Sequence, residues 1–225
     1  MSGRTTSKKA DGARLNRDAV VDRALVIADT EGLDAVSIRR MAQEFDVTPM
    51  ALYWHFKNRD EMRAALGDRI IDTVVAPDDA ASAQDFIRRT LSALIDAMRR
   101  HPAAAELVPA RILQCDNGRT ITERVLARLI SDGYSPAAAA TVARSALQAA
   151  VTLVVTVPGA ELTIPEEQRD ETRRHKLADL LTLPDDRFPI LKSLAPTLLR
   201  CDDQDEYFAT GVDLFIDGVA GMRGR

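Results

Sequence analysis

Residues 37–57 read SIRRMAQEFDVTPMALYWHFK, and their spacing predicts two short helices joined by a tight turn. Ser37 can cap the first helix, whose Met41, Ala42 and Phe45 recur at the three- and four-residue intervals of a buried helical stripe. Asp46 ends it, because Asp tolerates the left-handed backbone such a turn needs, although glycine takes it at lower cost. Val47 pins the turn to the core. Thr48 and Pro49 then start the second helix, the Thr hydroxyl as acceptor for an orphan N–H and Pro as a first residue with no N–H to leave unpaired.

In that second helix Leu52 and Phe56 face inward with Val47, which leaves Pro49, Met50, Ala51, Tyr53 and Trp54 outward and His55 and Lys57 to the side. Tyr53 and Trp54 can also be read as filling a helical core. The inner face is already supplied, however, and the chain's one Trp stands beside Tyr, His and Lys. That mixture suits sugar, phosphate and base-edge contacts, so the pair reads as a helix-turn-helix whose second member enters the major groove of DNA.

The rest of the chain bounds this reading. Its 225 residues, 46% of them hydrophobic and ten of them proline, are ordinary for a globular protein. A net charge of −4 argues, taken alone, against a nucleic-acid binder, since phosphates attract Lys and Arg. The charge is unevenly spread. Through Arg17 there are five basic residues (Arg4, Lys8, Lys9, Arg14, Arg17) and one acid, Asp11, so this end carries +4 and the remainder −8. Residues 1–15 lack core-forming side chains and are expected to form a flexible basic arm that lies along phosphates or in a minor groove.

Helical periodicity runs almost throughout, so the expected fold is all-α. A first helix over 17–31, capped by Asn16, sets Val20, Ala24, Ile27 and Ala28 on one face and stops at Gly32. With helices over 38–45 and 49–56 it makes a three-helix headpiece. Asn58 can cap a linking helix over 59–75, closed by Pro77, and body helices are expected over 83–100, 104–113, 119–132, 135–157, 188–199 and 205–222. Residues 165–181 read either as a loosely held helix or as a mobile loop. The expected organisation is an arm (1–15), a DNA-binding domain (16–62) and a ligand-binding and dimerisation domain (63–225). Helices 135–157 and 205–222 carry more apolar side chains than one core face needs, which predicts a four-helix interface between two copies.

Other function classes find little support. The three histidines, His55, His101 and His175, have no metal-ligand spacing with each other or with Cys115 and Cys201, and no hydrolase, Walker or zincin motif is present. Acid pairs such as Asp78/Asp79 and Asp202/Asp203 sit at predicted helix borders, where the helix dipole explains them. Neither an enzyme nor a bound cofactor or metal is expected. No signal peptide follows the basic N-terminus, and no stretch of the ~18 residues a membrane span needs is free of charge, so the expectation is a soluble cytoplasmic protein without a membrane role.

The stretch LNRDAVVDRALVIADTEGLDAVSIRRMAQEFDVTPMALYWHFKNRDEM, residues 15–62, resembles the DNA-binding domain of the tetracycline-repressor (TetR) family, and LYWHFKN at 52–58 is especially close to its namesake. FPILKSL at 188–194 and YFATGVDLFIDG at 207–218 are similar to the last two helices of that family's body. The resemblance implies a homodimer whose heads grip palindromic double-stranded operator DNA and whose bodies bind a small-molecule effector that releases it. It sets Arg39 at a guanine-reading position and Pro49, Met50 and Ala51 at base-reading positions, where their changed types imply a different operator. Tyr53, Trp54, His55, Lys57 and Arg59 match positions that touch sugar, phosphate or groove wall, and Ser37, Arg40 and Thr48 complete the candidate DNA contacts. In the body, an ungapped match sets Val75, Thr90, Leu94 and Val108 at drug- and metal-binding positions. Val108 replaces a metal-ligating His and has no lone pair to offer, which implies a metal-free, more apolar pocket. His101, Arg111, Gln114 and Gln148 are its polar candidates, each also readable as a surface or capping residue. A ligand near Val75, Leu94 and Val108 is expected to swing the linking helix and so change the spacing of the heads. The alternative, from another class, is a helical ligand-binding or protein-interaction module without specific DNA binding.

Overall fold

The structure, a computed structural model, describes residues 16–158 and 166–222. The expected arm over 1–15 lies outside the described residues. Among those described there are eleven α-helices and no strand: α1 (Arg17–Glu31), α2 (Ile38–Glu44), α3 (Pro49–Tyr53), α4 (Arg59–Asp72), α5 (Ala83–Arg99), α6 (Val108–Arg111), α7 (Asp116–Ser131), α8 (Pro136–Val155), α9 (Glu166–Leu181), α10 (Pro189–Leu198) and α11 (Gln204–Ala220). Short 3-10 turns occupy Leu33–Ala35 and Pro102–Leu107. The all-α expectation therefore holds, and the segment left open between helix and loop is helical from Glu166.

Local chemistry starts most of these helices. Asn16, Ser37, Asn58, Ser82, Ser135 and Asp203 each accept, through a side-chain oxygen, the backbone N–H three residues on. Each such cap contributes about 1 kcal/mol. Thr48 departs from its predicted role, since its side chain makes no capping bond and Pro49 alone opens α3. Asp46 has φ 51°, the left-handed conformation expected of it. Gly32 closes α1 where expected, at φ 87° and ψ 155°, a region open only to glycine and distinct from a left-handed helical cap.

Three of the predicted helices that come out shorter or broken have a local cause. α3 stops at Tyr53, and the chain tightens through Trp54 and His55 so that the N–H groups of both His55 and Phe56 reach the Leu52 carbonyl at 2.9 Å. α4 stops at Asp72 rather than residue 75, because the Thr73 hydroxyl donates to Ile70 O at 2.8 Å and Asn117 Nδ2 donates to Ile71 O and Val74 O at 2.8 and 3.0 Å. The helix expected over 104–113 is broken in two. Pro109 has no N–H for the ladder but is tolerated in a first turn, so a 3-10 turn ends at Leu107 and α6 begins afresh at Val108.

Val20, Ala24, Ile27 and Ala28 of α1, Met41 and Ala42 of α2, and Leu52 and Phe56 meet in the headpiece, all buried. This core continues without a break through Met62, Leu66 and Ile70 of α4 into the body and ends at Val219 of α11. α5 is the body's central helix, packed against α7, α8 and α11. α8, 20 residues with Arg144 as its one charged side chain, is long and apolar enough to cross a membrane, yet it packs against α5, α7 and α11. Much of the apolar surplus predicted for an interface is used within the chain: Val142, Val151, Val154, Phe208, Val212, Ile216 and Val219 are buried, while Val155 and Leu214 stay exposed. α9 and α10 pack chiefly on each other, and α10 leaves Ile190, Leu194 and Leu198 exposed along one side.

Candidate nucleic-acid interface and ligand cavity

The headpiece presents α3 as the sequence suggests. With Leu52 and Phe56 fully buried, Met50 is 68%, Tyr53 49% and Trp54 86% exposed, so the indole has no part in the core. Thr48, Pro49, Arg39 and Lys57 are also exposed, and Ala51 and His55 are half-buried. Ser37 is occupied as the cap of α2, its Oγ accepting Arg40 N–H at 3.1 Å.

The cations divide into two groups. Arg40 pairs with Glu31 at 2.8 Å and with Glu44, which also pairs with Arg23 of α1, and these hydrogen bonds, Arg40's first, hold the Glu44 carboxyl below its ordinary range. Arg59 donates through Nε to Val36 O at 2.9 Å and through Nη2 to Asp34 O at 2.8 Å, fastening the start of α4 to the turn before α2. Both side chains set the orientation of α2. Of the candidate cations, Arg39 and Lys57 form no ion pair among the described residues.

Trp54→Ala is therefore expected to leave stability within ~0.5 kcal/mol, since it removes no buried contact. Its affinity for duplex DNA is expected to fall about equally on specific and mixed-sequence duplexes, as for a phosphate or sugar contact. Thermal unfolding beside fluorescence-anisotropy titrations checks this. A lowered melting point with unchanged DNA binding would make Trp54 a folding residue instead.

The body holds a cavity of about 470 Å³ between α5, α6, α7 and α8. Thr90, Leu91 and Leu94 of α5, Pro109 of α6 and Ile112 just after it, Ile121 and Val125 of α7, and Ala143, Arg144, Leu147 and Gln148 of α8 are among its walls. Of the eight sequence candidates it gathers Thr90, Leu94 and Gln148. The other five lie elsewhere. Val75 is 79% exposed beyond the end of α4, Val108 is fully buried in the core, and Gln114 is on the surface. His101 Nδ1 lies 2.8 Å from Asp29 Oδ2 of α1. Arg111 makes a two-pronged pair with Asp68 of α4 at 2.7 and 3.0 Å. Sequence reasoning passed over Arg144 and Asn117. A lone Arg in an otherwise uncharged helix was the available signal for the first; for the second there was none, because its partners are backbone carbonyls of another helix.

α6 joins the two regions. Pro109 lines the cavity, while Arg111, two residues on, grips Asp68 and lays its stem so close to Gly67 that a Cβ there would lie 2.8 Å from Arg111 Cγ. Arg69 of α4 in turn holds Asp22 of α1 at 2.7 and 2.8 Å. A continuous chain of contacts thus runs from the cavity wall through α4 to the headpiece. No group of three or more metal-ligating side chains occurs among the described residues.

Comparison with known proteins agrees with this architecture. Residues 20–66 match the family described as "Bacterial regulatory proteins, tetR family", and residues 76–223 match "Tetracyclin repressor-like, C-terminal domain". The tetracycline repressor protein class D of Escherichia coli is 28% identical over 209 residues, covering 92% of this chain and 89% of its own. Among solved structures, Streptomyces coelicolor ActR in complex with actinorhodin has a TM-score of 0.74 at 27% identity, covering 95% of this chain and 100% of its own. BioQ with its double-stranded DNA operator has a TM-score of 0.60 at 26% identity, covering 92% and 99%. With its helix-turn-helix head, its helical body and matches over most of its length, the chain belongs to the tetR family of DNA-binding regulatory proteins.

Proposed function

We propose that this protein is a cytoplasmic repressor rather than an enzyme, a homodimer that binds a palindromic operator and releases it when a small molecule enters the α5–α8 cavity. Residues 16–62 act as the DNA-binding part and 63–225 as the ligand-binding and dimerisation part. In this reading Arg39 makes a bidentate contact to a guanine, Met50 and Ala51 offer apolar contact to a thymine methyl, and Tyr53, Trp54 and Lys57 fix the register on sugar and phosphate. Arg40 and Arg59 act indirectly by holding α2, and Thr90, Leu94 and Gln148 face the ligand. The exposed apolar side chains of α10, with Val155 and Leu214, are available to a second copy.

The observation that carries the proposal is α6, one short helix that both walls the cavity and grips α4. The two heads of a dimer must match half-sites ~34–36 Å apart, so a shift of α4 by a few ångströms is enough to lose specific affinity. Duplexes selected from a random pool on the full chain, titrated with and without candidate ligands, test the reading. A palindromic site bound by two chains, with affinity that falls steeply with salt and with ligand, is expected. Binding no tighter than to mixed-sequence DNA would overturn it.

Arg111→Ala isolates the coupling. Linkage requires ligand and DNA to weaken each other by one factor, usually about 5–150-fold. The variant is expected to bind each partner alone nearly as the wild type does, while that mutual factor shrinks towards one. Titrating ligand with and without operator reads it directly, and an unchanged factor would remove the Arg111–Asp68 pair from the relay.

A further inference from the structure

The cavity's walls are apolar apart from Thr90, Thr122, Arg144 and Gln148, and no carboxylate lies among them. Thr90 is 6% exposed, and its Oγ1 is buried without a hydrogen-bond partner. Other helical threonines return their hydroxyls to the carbonyl four residues back: Thr30, Thr120, Thr122 and Thr141 all do so at 2.8–2.9 Å. Thr90 does not, which leaves beside the cavity an unpaired donor that a turn of its side chain brings to an oxygen from outside. Arg144 and Gln148 stand one turn apart on α8 at the rim. Arg144 forms no ion pair among the described residues. A fixed positive charge on an otherwise apolar wall favours anions and repels cations.

We infer that the cavity takes a lipophilic anion, its apolar body between α5 and α7, its acidic group at Arg144 and a further oxygen at Thr90 Oγ1. This deepens the ligand-binding reading above and rests on it. A volume of about 470 Å³ lies within the ~300–1,000 Å³ usual for small-molecule sites.

Two matched pairs of probes test it on the full chain. Anilinonaphthalene sulfonate and N-phenylnaphthylamine share an aromatic body and differ in the anionic group, and both fluoresce in apolar surroundings. The sulfonate is expected to bind about ten-fold tighter, one charge-assisted contact's worth, with a preference that shrinks as salt rises. Arg144→Gln should abolish the preference and leave the neutral probe unaffected, Arg144→Lys should keep most of it, and Ala143→Phe should exclude both probes from the cavity. Fluorenone carboxylate should displace the sulfonate several-fold better than fluorene carboxylate, a difference that Thr90→Val removes. Equal affinity of the charged and neutral probes, or a preference that survives Arg144→Gln, overturns the anion inference while a ligand cavity stands. If neither probe binds a chain that still binds DNA, both the inference and the ligand-binding reading fall.

Discussion

Replacing Phe56 by alanine is expected to destabilise the protein by about 3–5 kcal/mol, the usual loss for a large aromatic ring removed from a closed core. Phe56 is fully buried and lies just past the end of α3, where it closes the headpiece with Leu52 and Met41. The Arg17 guanidinium sits 5.1 Å from its ring centroid, an outer contact that goes with it. The ring also fixes the angle between α3 and α4, so DNA affinity should fall even where the chain remains folded. Urea unfolding gives the first quantity and anisotropy titration the second. A wild-type midpoint would mean that the headpiece closes without this side chain.

Gly118→Ala is expected to reverse a familiar sign. In an open helix interior, alanine is better than glycine by about 1 kcal/mol. At Gly118 in α7 a Cβ would lie 2.1 Å from the carbonyl oxygen of Ile112 and 2.8 Å from its carbonyl carbon. Those are backbone atoms and cannot swing aside as a side chain does. α7 and the segment after α6 would have to separate, at a cost of about 3 kcal/mol or more. For a chain of this size that lowers the melting temperature by roughly 6–12 °C. Because the same movement pulls at Pro109 and Ile112 in the cavity wall, probe binding should weaken as well. A variant as stable as the wild type would show that α7 has room to shift.

What the sequence made legible was what neighbouring residues decide among themselves. Asn16, Ser37 and Asn58 cap their helices because a side-chain oxygen and an N–H three residues away meet by local geometry. The stripe of α1 and the pair Leu52/Phe56 are buried because helical periodicity sets one face inward whatever the partner. The turn at Asp46 depends on one residue's tolerance for positive φ. The cavity obeyed no such rule. It is assembled from four helices, and which face each one offers follows from its packing on the others. Val75 therefore came out exposed once Thr73 and Asn117 had ended α4 early, and His101 and Arg111, polar residues near the right place in sequence, turned out to pair with Asp29 and Asp68. The break before α6 was visible only as a proline, a residue that equally well opens a helix or stands just after the end of one.

The unbroken core from Val20 to Val219 gives the head and the body a shared thermodynamic fate. Where separate cores would melt in sequence and leave a head folded above a loosened body, a common one makes opening cooperative across the α4 junction. The population of chains competent to bind DNA is then set by the stability of the whole, so an alteration deep in the body, far from both α3 and the cavity, changes how much of the protein is available for regulation at all.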